Sequence, residues 1–277
     1  MDIMENIRKP KKNRKTWTLI LLFASFLFGV CVFYLCWQYF ERLRAEQFYE
    51  DMKEDYVYMP TTQINTQIPD GDGIAEPWRN NLLTIDFKAL KKTNSDIYAW
   101  LDIPGTNVSY PVLQHSKNDS YYLEHTVNHV KGLPGSLYSE SITPAGVIEP
   151  IHIIYGHNMK NKTMFGELHS YENEGYLEEH SYVYLYTPNC TYVYRIFASA
   201  VIDDIHLMYQ HNFYTEDGRE QYLEELEDLE KKSGKNHCLE HTVTTENGEF
   251  LILSTCMSTN KETRYTIHGV LLDKITN

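Results

Sequence analysis

Phe250-Leu251-Ile252-Leu253-Ser254-Thr255-Cys256 is an apolar run that ends in a thiol, and eight residues after that thiol Arg264-Tyr265-Thr266-Ile267-His268-Gly269-Val270-Leu271-Leu272 begins a second one. Short stretches rich in β-branched and aromatic residues read as strands. If these two are neighbours joined by the loop 257–263, Cys256 and Arg264 point to one end of a sheet. Further strands read outward from this pair. Asn107-Val108-Ser109-Tyr110-Pro111-Val112-Leu113 alternates, and the apolar run 151–155 stops at Gly156. Residues 181–186 and 191–200 flank the turn-like Thr187-Pro188-Asn189-Cys190, which predicts a hairpin. Val243 and Phe250 flank Asn247-Gly248, a strong hairpin signal. Phe87 and Leu90 suggest a short helix leading into a strand at 97–101. Many short strands at close spacing make the chain mainly β and predict a closed or nearly closed barrel.

One segment breaks the strand pattern. Residues 216–232 carry Tyr222, Leu226 and Leu229 at helical spacing among many acids, with Lys231, Lys232 and Gly234 at the end. That is an amphipathic helix with basic C-terminal charge and a glycine stop.

The ends of the chain differ in charge. The protein has 277 residues and a formal net charge of −13. Residues 1–15 hold six bases and two acids, residues 16–40 hold no Asp, Glu, Lys or Arg, and the remaining 237 hold 19 bases and 36 acids. A basic face is what nucleic acid requires, so nucleic acid is not expected as a partner. The uncharged run 17–40 would span roughly 36 Å as a helix, enough for a hydrocarbon core of about 30 Å. It is too long for the apolar region of a signal peptide, and the bulky Gln38-Tyr39-Phe40 follows where small residues would mark cleavage. The basic block places the N-terminus in the cytoplasm. The expected organisation is a cytoplasmic tail (1–16), a transmembrane helix (17–40), a stalk and linker (41–76) and one extracellular domain (77–277). That organisation would make the chain a single-pass protein of the cell membrane.

Few residues carry chemistry. Five cysteines, an odd number, exclude a small disulfide-stapled scaffold. Cys256 is either a buried inert thiol, a disulfide partner for Cys190 or Cys238, or a nucleophile. His157 follows Ile153-Ile154-Tyr155-Gly156 at the exit of another strand, where loops present functional groups on a rigid frame. Acyl transfer through a thiol needs a nucleophile, a proton carrier and a cationic donor for the oxyanion. Cys256, His157 and Arg264 supply one of each. Glu172, Glu174, Glu178 and Glu179 with His169 and His180 lack any recognised ligand spacing, so no metal and no cofactor is expected.

The segments Ile153-Ile154-Tyr155-Gly156-His157-Asn158-Met159 and Leu253-Ser254-Thr255-Cys256, with Arg264 in the next strand, resemble those of sortases, class B in particular. Asn94-Ser95-Asp96-Ile97-Tyr98-Ala99-Trp100-Leu101-Asp102-Ile103-Pro104-Gly105-Thr106, then Tyr110-Pro111-Val112 and Tyr121-Tyr122-Leu123, extend the resemblance over about residues 85–272. Two departures stand out: Ile252-Leu253-Ser254 replaces the broader Thr-Leu pattern, and Asn118-Asp119 stands where class B often has Asp-Asn. The resemblance implies a closed barrel of about eight strands with an N-terminal helix, an amphipathic helix between the sixth and seventh strands, and one transmembrane helix. It implies a cysteine transpeptidase that cleaves a sorting signal of secreted proteins after Thr. Cys256 would form the thioester, His157 would move the proton and Arg264 would hold the oxyanion. Tyr155, Ser254, Thr255 and Leu123 would line the peptide groove. The implied partners are the sorting-signal peptide, a peptidoglycan amine or its lipid-linked precursor as acceptor, and the membrane through 17–40. A cysteine protease using the same residues, and a non-catalytic envelope adhesion or assembly module, are the competing readings.

Overall fold

The computed structural model describes residues 14–59, 78–79, 82–146, 148, 150–239, 248–257 and 262–277. The basic tail to residue 13, most of the segment read as a linker, and both Val243 and Asn247 lie outside them. The chain divides into two compact units, residues 1–44 and 45–277. In the first, helix α1 (Arg14–Tyr56) exposes Trp17, Phe23, Phe33 and Trp37, and it is long and apolar enough to cross a membrane. In the second, the end of the same helix is packed core. Tyr49 and Met52 are buried, and the Tyr49 hydroxyl donates to the Gly135 carbonyl at 2.6 Å. Residues 45–56, inside the stretch read as a stalk, therefore belong to the folded domain.

Eight strands build the barrel: β1 (Ile97–Asp102), β2 (Ser109–Leu113), β3 (Leu137–Tyr138), β4 (Ile151–Tyr155), β5 (Tyr182–Tyr186), β6 (Cys190–Asp203), β7 (Phe250–Cys256) and β8 (Thr263–Thr276). Their order is β8-β7-β4-β3-β2-β1-β5-β6, and β6 pairs with β8 to close the sheet. Closure removes the unpaired edges that an open sheet would expose. A two-residue strand, His237–Cys238, adds to the side of β6. The pairs β4–β7 and β2–β3 are parallel; the others are antiparallel. The helices after α1 are α2 (Phe87–Thr93), α3 (Glu174–Glu179), α4 (Leu207–Gln210) and α5 (Glu216–Lys232). α5 lies between the sixth and seventh strands with the bounds its periodicity predicts. Thr215 caps it by accepting from the Gly218 amide at 3.2 Å.

β7 has a partner strand along each edge. Phe250 pairs with Val270 on one side and Ile151 on the other, so both edges of the strand are taken.

Alternation along the strands sorts the core into two layers. Leu251 and Leu253 of β7, Ile154 of β4 and Tyr265 and Ile267 of β8 share one cluster with most of the barrel. Phe250 and Ile252, Ile151 and Ile153, and Val270 face the other way, against Tyr222 and Leu226 of α5 and Leu207 of α4. Ser254, Cys256 and Arg264 follow the second parity, so the strands that α5 covers at one end are open at the other.

His268 is buried on the α5 side of β8. Its ring bonds the Tyr222 hydroxyl at 2.6 Å and the Thr266 hydroxyl at 2.7 Å. Burial holds its pKa down to about 3, so the folded protein keeps it neutral. At neutral pH both folded and unfolded states are uncharged there, and nothing is lost. As pH falls from the ordinary value of 6.5 toward about 3, the unfolded chain takes a proton that the folded one refuses. Stability should then fall by up to about 1.4 kcal/mol per pH unit. His268→Gln keeps a donor and an acceptor for both hydroxyls and should flatten this part of the curve. Denaturant unfolding between pH 7 and pH 4 measures it, and equal slopes in the two proteins would refute the assignment.

Candidate active site

Cys256 is the last residue of β7 and lies opposite Arg264 near the start of β8. On the other side of β7, Ser254 lies opposite Tyr155, the last residue of β4. The ladder runs one residue further through the Gly156 amide, which donates to the Ser254 carbonyl at 3.1 Å. His157 follows at once. Strand register alone thus brings a thiol, a guanidinium and an imidazole to the exposed end of three adjacent strands. All three line one cleft of about 470 Å³. Its far wall is the connection after β6, including Asp204 and Tyr209.

Each of the three is held. Arg264 Nε and Nη2 donate to the two carboxylate oxygens of Asp204, at 2.7 and 2.6 Å. Nη1, the remaining corner of the fork, donates to Cys256 Sγ. Burial pulls the guanidinium toward its neutral form, but the Asp204 hydrogen bonds and the charges of Cys256 and Asp204 outweigh it and raise its pKa. A bidentate carboxylate fixes the plane of an Arg as well as its charge. His157 Nε2 lies 2.7 Å from the Leu123 carbonyl. A carbonyl only accepts, so Nε2 carries the proton and Nδ1 is the nitrogen left to exchange one. Among the described residues a backbone oxygen, and no acid, orients this ring.

The remaining expected groove residues, Tyr155, Ser254, Thr255 and Leu123, also line the cleft. They differ in what they offer. Thr255 spends its hydroxyl on the Gly156 carbonyl at 2.8 Å and is buried, so it fixes the strand ends. Leu123 contributes its carbonyl to His157 as well as its side chain to the wall. Tyr155 stacks on Tyr138 with ring centres 5.5 Å apart, and burial, followed by the charge of Glu140, raises the pKa of both phenols. Asp119 accepts from the Ser141 amide and is not among the cleft residues. None of the five cysteines is in a disulfide.

Sequence reading missed Asp204, Glu140 and His206. His206 Nε2 meets Glu140 Oε2 at 3.3 Å, and both line the cleft. Asp204 could have been found only through the β6–β8 register, which sets Arg264 against Ile202 and so brings the next turn within reach.

The family description matching this chain is the sortase domain, over residues 101–272. The sequence is 28% identical over 162 residues to sortase B of Listeria monocytogenes, covering 58% of this chain and 56% of that protein. It is 27% identical over 178 residues to sortase B of Staphylococcus aureus, covering 64% and 70%. The chain thus spans little more than half the length of the Listeria relative. Among solved structures, sortase B of Clostridium perfringens superposes with a TM-score of 0.56 at 29% identity, over 67% of this chain and 99% of that one.

Gly135 builds the seat of His157. At φ +66° a Cβ there would lie 2.6 Å from the Leu123 carbonyl oxygen and 3.2 Å from His157 Cδ2. Gly146, at φ +83°, has open space around the same position. Both alanine variants pay the cost of a left-handed backbone, but only one meets the seat. Gly135→Ala should therefore cost at least about 1 kcal/mol more stability than Gly146→Ala. Denaturant midpoints of the two variants test this, and equal losses would show that the seat yields freely.

Proposed function

Because the chain belongs to the sortase family, with class B enzymes as its matched relatives, we propose that it is a membrane-anchored cysteine transpeptidase that cleaves a sorting signal after Thr. The observation that carries the reading is the convergence of Cys256, Arg264 and His157 on one cleft from three adjacent strands. Cys256 passes its thiol proton to His157, and the sulfur attacks the carbonyl carbon of the Thr. The Arg264 guanidinium, held by Asp204 with one corner toward the sulfur, stands beside the oxygen that gains charge. Preorganised donors of this kind act most strongly where water is partly excluded. As the C–N bond breaks, the His157 imidazolium gives its proton to the departing amine, leaving a thioester on Cys256. A wall amine then attacks the thioester, His157 accepts its proton, and the thiol is regenerated. Arg stays charged throughout, so proton transfer falls to the imidazole.

The acceptor is a peptidoglycan amine or its lipid-linked precursor, and the donor is a secreted protein carrying the signal. The exposed apolar stretch of α1 supports a membrane anchor at 17–40, and the basic block before it supports a cytoplasmic N-terminus and an extracellular catalytic domain.

The full chain in detergent, given quenched fluorescent peptides with one central Thr, tests the mechanism. Cys256→Ala and His157→Ala should each lower turnover by about 10³-fold or more. Arg264→Ala should lower it by roughly 10²-fold with the fold preserved. Cys190→Ser and Cys238→Ser should leave it unchanged. Added primary amine should appear in the product by mass. Equal cleavage by wild type and Cys256→Ala would end the acyl-transfer reading, and hydrolysis indifferent to any amine would make the protein a protease.

A further inference from the structure

Behind the cleft a chain of hydrogen bonds leads from the Cys256 peptide through four polar side chains that the proposed reaction does not use. Asn158 Nδ2 donates to the Cys256 carbonyl at 2.9 Å. The same nitrogen lies 2.9 Å from His169 Nε2. His169 Nδ1 lies 3.1 Å from Glu172 Oε1, and Lys235 Nζ donates to Glu172 Oε2 at 2.6 Å. None of these four residues is among those lining the cleft.

The shorter contacts in this chain set its direction, although His169 Nε2 also lies 3.4 Å from the Cys256 carbonyl. The Cys256 carbonyl only accepts, so the Asn158 atom facing it is its NH₂ group. A second hydrogen of that NH₂ reaches His169 Nε2 at 2.9 Å, shorter than the 3.4 Å from Nε2 to the Cys256 carbonyl, and this direction leaves Nε2 unprotonated. The His169 proton sits on Nδ1 and is donated to Glu172. Glu172 stays ionised: burial pushes its pKa up, but hydrogen bonds from Lys235 and His169 hold it below the ordinary value. The imidazole is clamped from the side as well, stacked on Tyr265 at 4.8 Å, and Tyr265 lies opposite Thr255 in the strand register.

The position of Asn158 gives the chain its meaning. It is the residue after His157, and its side chain holds the peptide of Cys256. One residue before His157, the Gly156 carbonyl accepts from the Thr255 hydroxyl. His157 is thus bracketed by two cross-links, 156 to 255 and 158 to 256, that tie its backbone to that of the thiol. β4 ends at Tyr155 and β7 at Cys256, so past the regular ladder these side chains take over the alignment.

We propose that Asn158, oriented by the His169–Glu172 pair, is a positioning residue that sets the spacing between His157 and Cys256. This rests on the assignment of those two as the catalytic pair. Asn158 is not among the residues lining the cleft, and it acts through its bond to the Cys256 backbone. Its loss should leave peptide binding intact and impair the proton transfer and attack that depend on spacing.

Steady-state kinetics of the full chain in detergent, on the same quenched Thr peptides, provide the test. Asn158→Ala should lower kcat by roughly 10- to 100-fold with KM changed less than about twofold. His169→Ala should lose most of the same factor, and His169→Gln, whose amide oxygen can accept from Asn158, should recover to within about threefold of wild type. The double variant Asn158→Ala/His169→Ala should be no slower than Asn158→Ala alone, because both act along one path. If Asn158→Ala does not fold, Asn158→Asp, which keeps the shape and removes the donors, should show the same fall in kcat. Wild-type kcat in the folded Asn158 variant, a loss confined to KM, multiplicative losses in the double variant, or His169→Gln as slow as His169→Ala would each overturn the inference. Cys256→Ala run in parallel separates the two readings. If it still cleaves, the catalytic assignment falls. If it is dead while Asn158→Ala is fully active, only the positioning role falls.

Discussion

The pairing of β6 with β8 is the contact on which the site depends. It closes the sheet, so β8 has a partner on each side and β7 is held between β8 and β4. Once β7 is fixed on both edges, its register decides everything at its end. A shift of one residue would turn Cys256 to the opposite face of the sheet and move it out of line with Arg264. The same closure brings the turn after β6 next to the start of β8, where the Asp204 amide donates to the Glu262 carbonyl at 2.9 Å. The carboxylate that grips Arg264 is therefore a product of barrel topology. It owes nothing to sequence proximity.

The cleft also shows how charge is distributed between tasks. A lone guanidinium beside a thiol would be free to swing toward solvent, and an exposed ion pair contributes little on its own. Asp204 takes two of the three nitrogens and leaves the third for the sulfur. The pair lies partly within the cleft wall, where the guanidinium is 27% exposed against 46% for the carboxylate. Fixing direction matters more here than the energy of the pair. His157 is treated differently: a backbone carbonyl holds it, which sets its tautomer without placing a negative charge beside it.

Much of this was legible in the sequence because it is local. Residues 216–232 form a helix since their apolar spacing, cap and terminal charges all agree. Cys256 and Arg264 were readable as a pair because only one loop separates their strands. His157 was readable because it follows an apolar run directly. The groups that orient them were not. Asp204, the Leu123 carbonyl and Asn158 act across pairings or through the backbone, and a carbonyl has no letter in the sequence. The segment 41–76 read as a stalk on composition, yet Tyr49 and Met52 within it are core.

That buried tyrosine has a consequence for what counts as the catalytic domain. The Tyr49 hydroxyl donates to the Gly135 carbonyl, lies 2.9 Å from the Ser136 hydroxyl and accepts from the Val127 amide at 3.3 Å. Its ring packs edge-on against Tyr110. Gly135 is the residue whose bare Cα lets the Leu123 carbonyl and the His157 ring approach. Removing residues 45–56 would leave the Gly135 carbonyl and the Val127 amide without the hydroxyl that now satisfies them, at a cost of about 1–3 kcal/mol for each group left unpaired. It would also uncover the Tyr110 face beneath. The helix end is thus one layer away from the His157 ring, whose seat is built from both sides. Leu123 reaches it from the loop before β3, and α1 holds that loop in place.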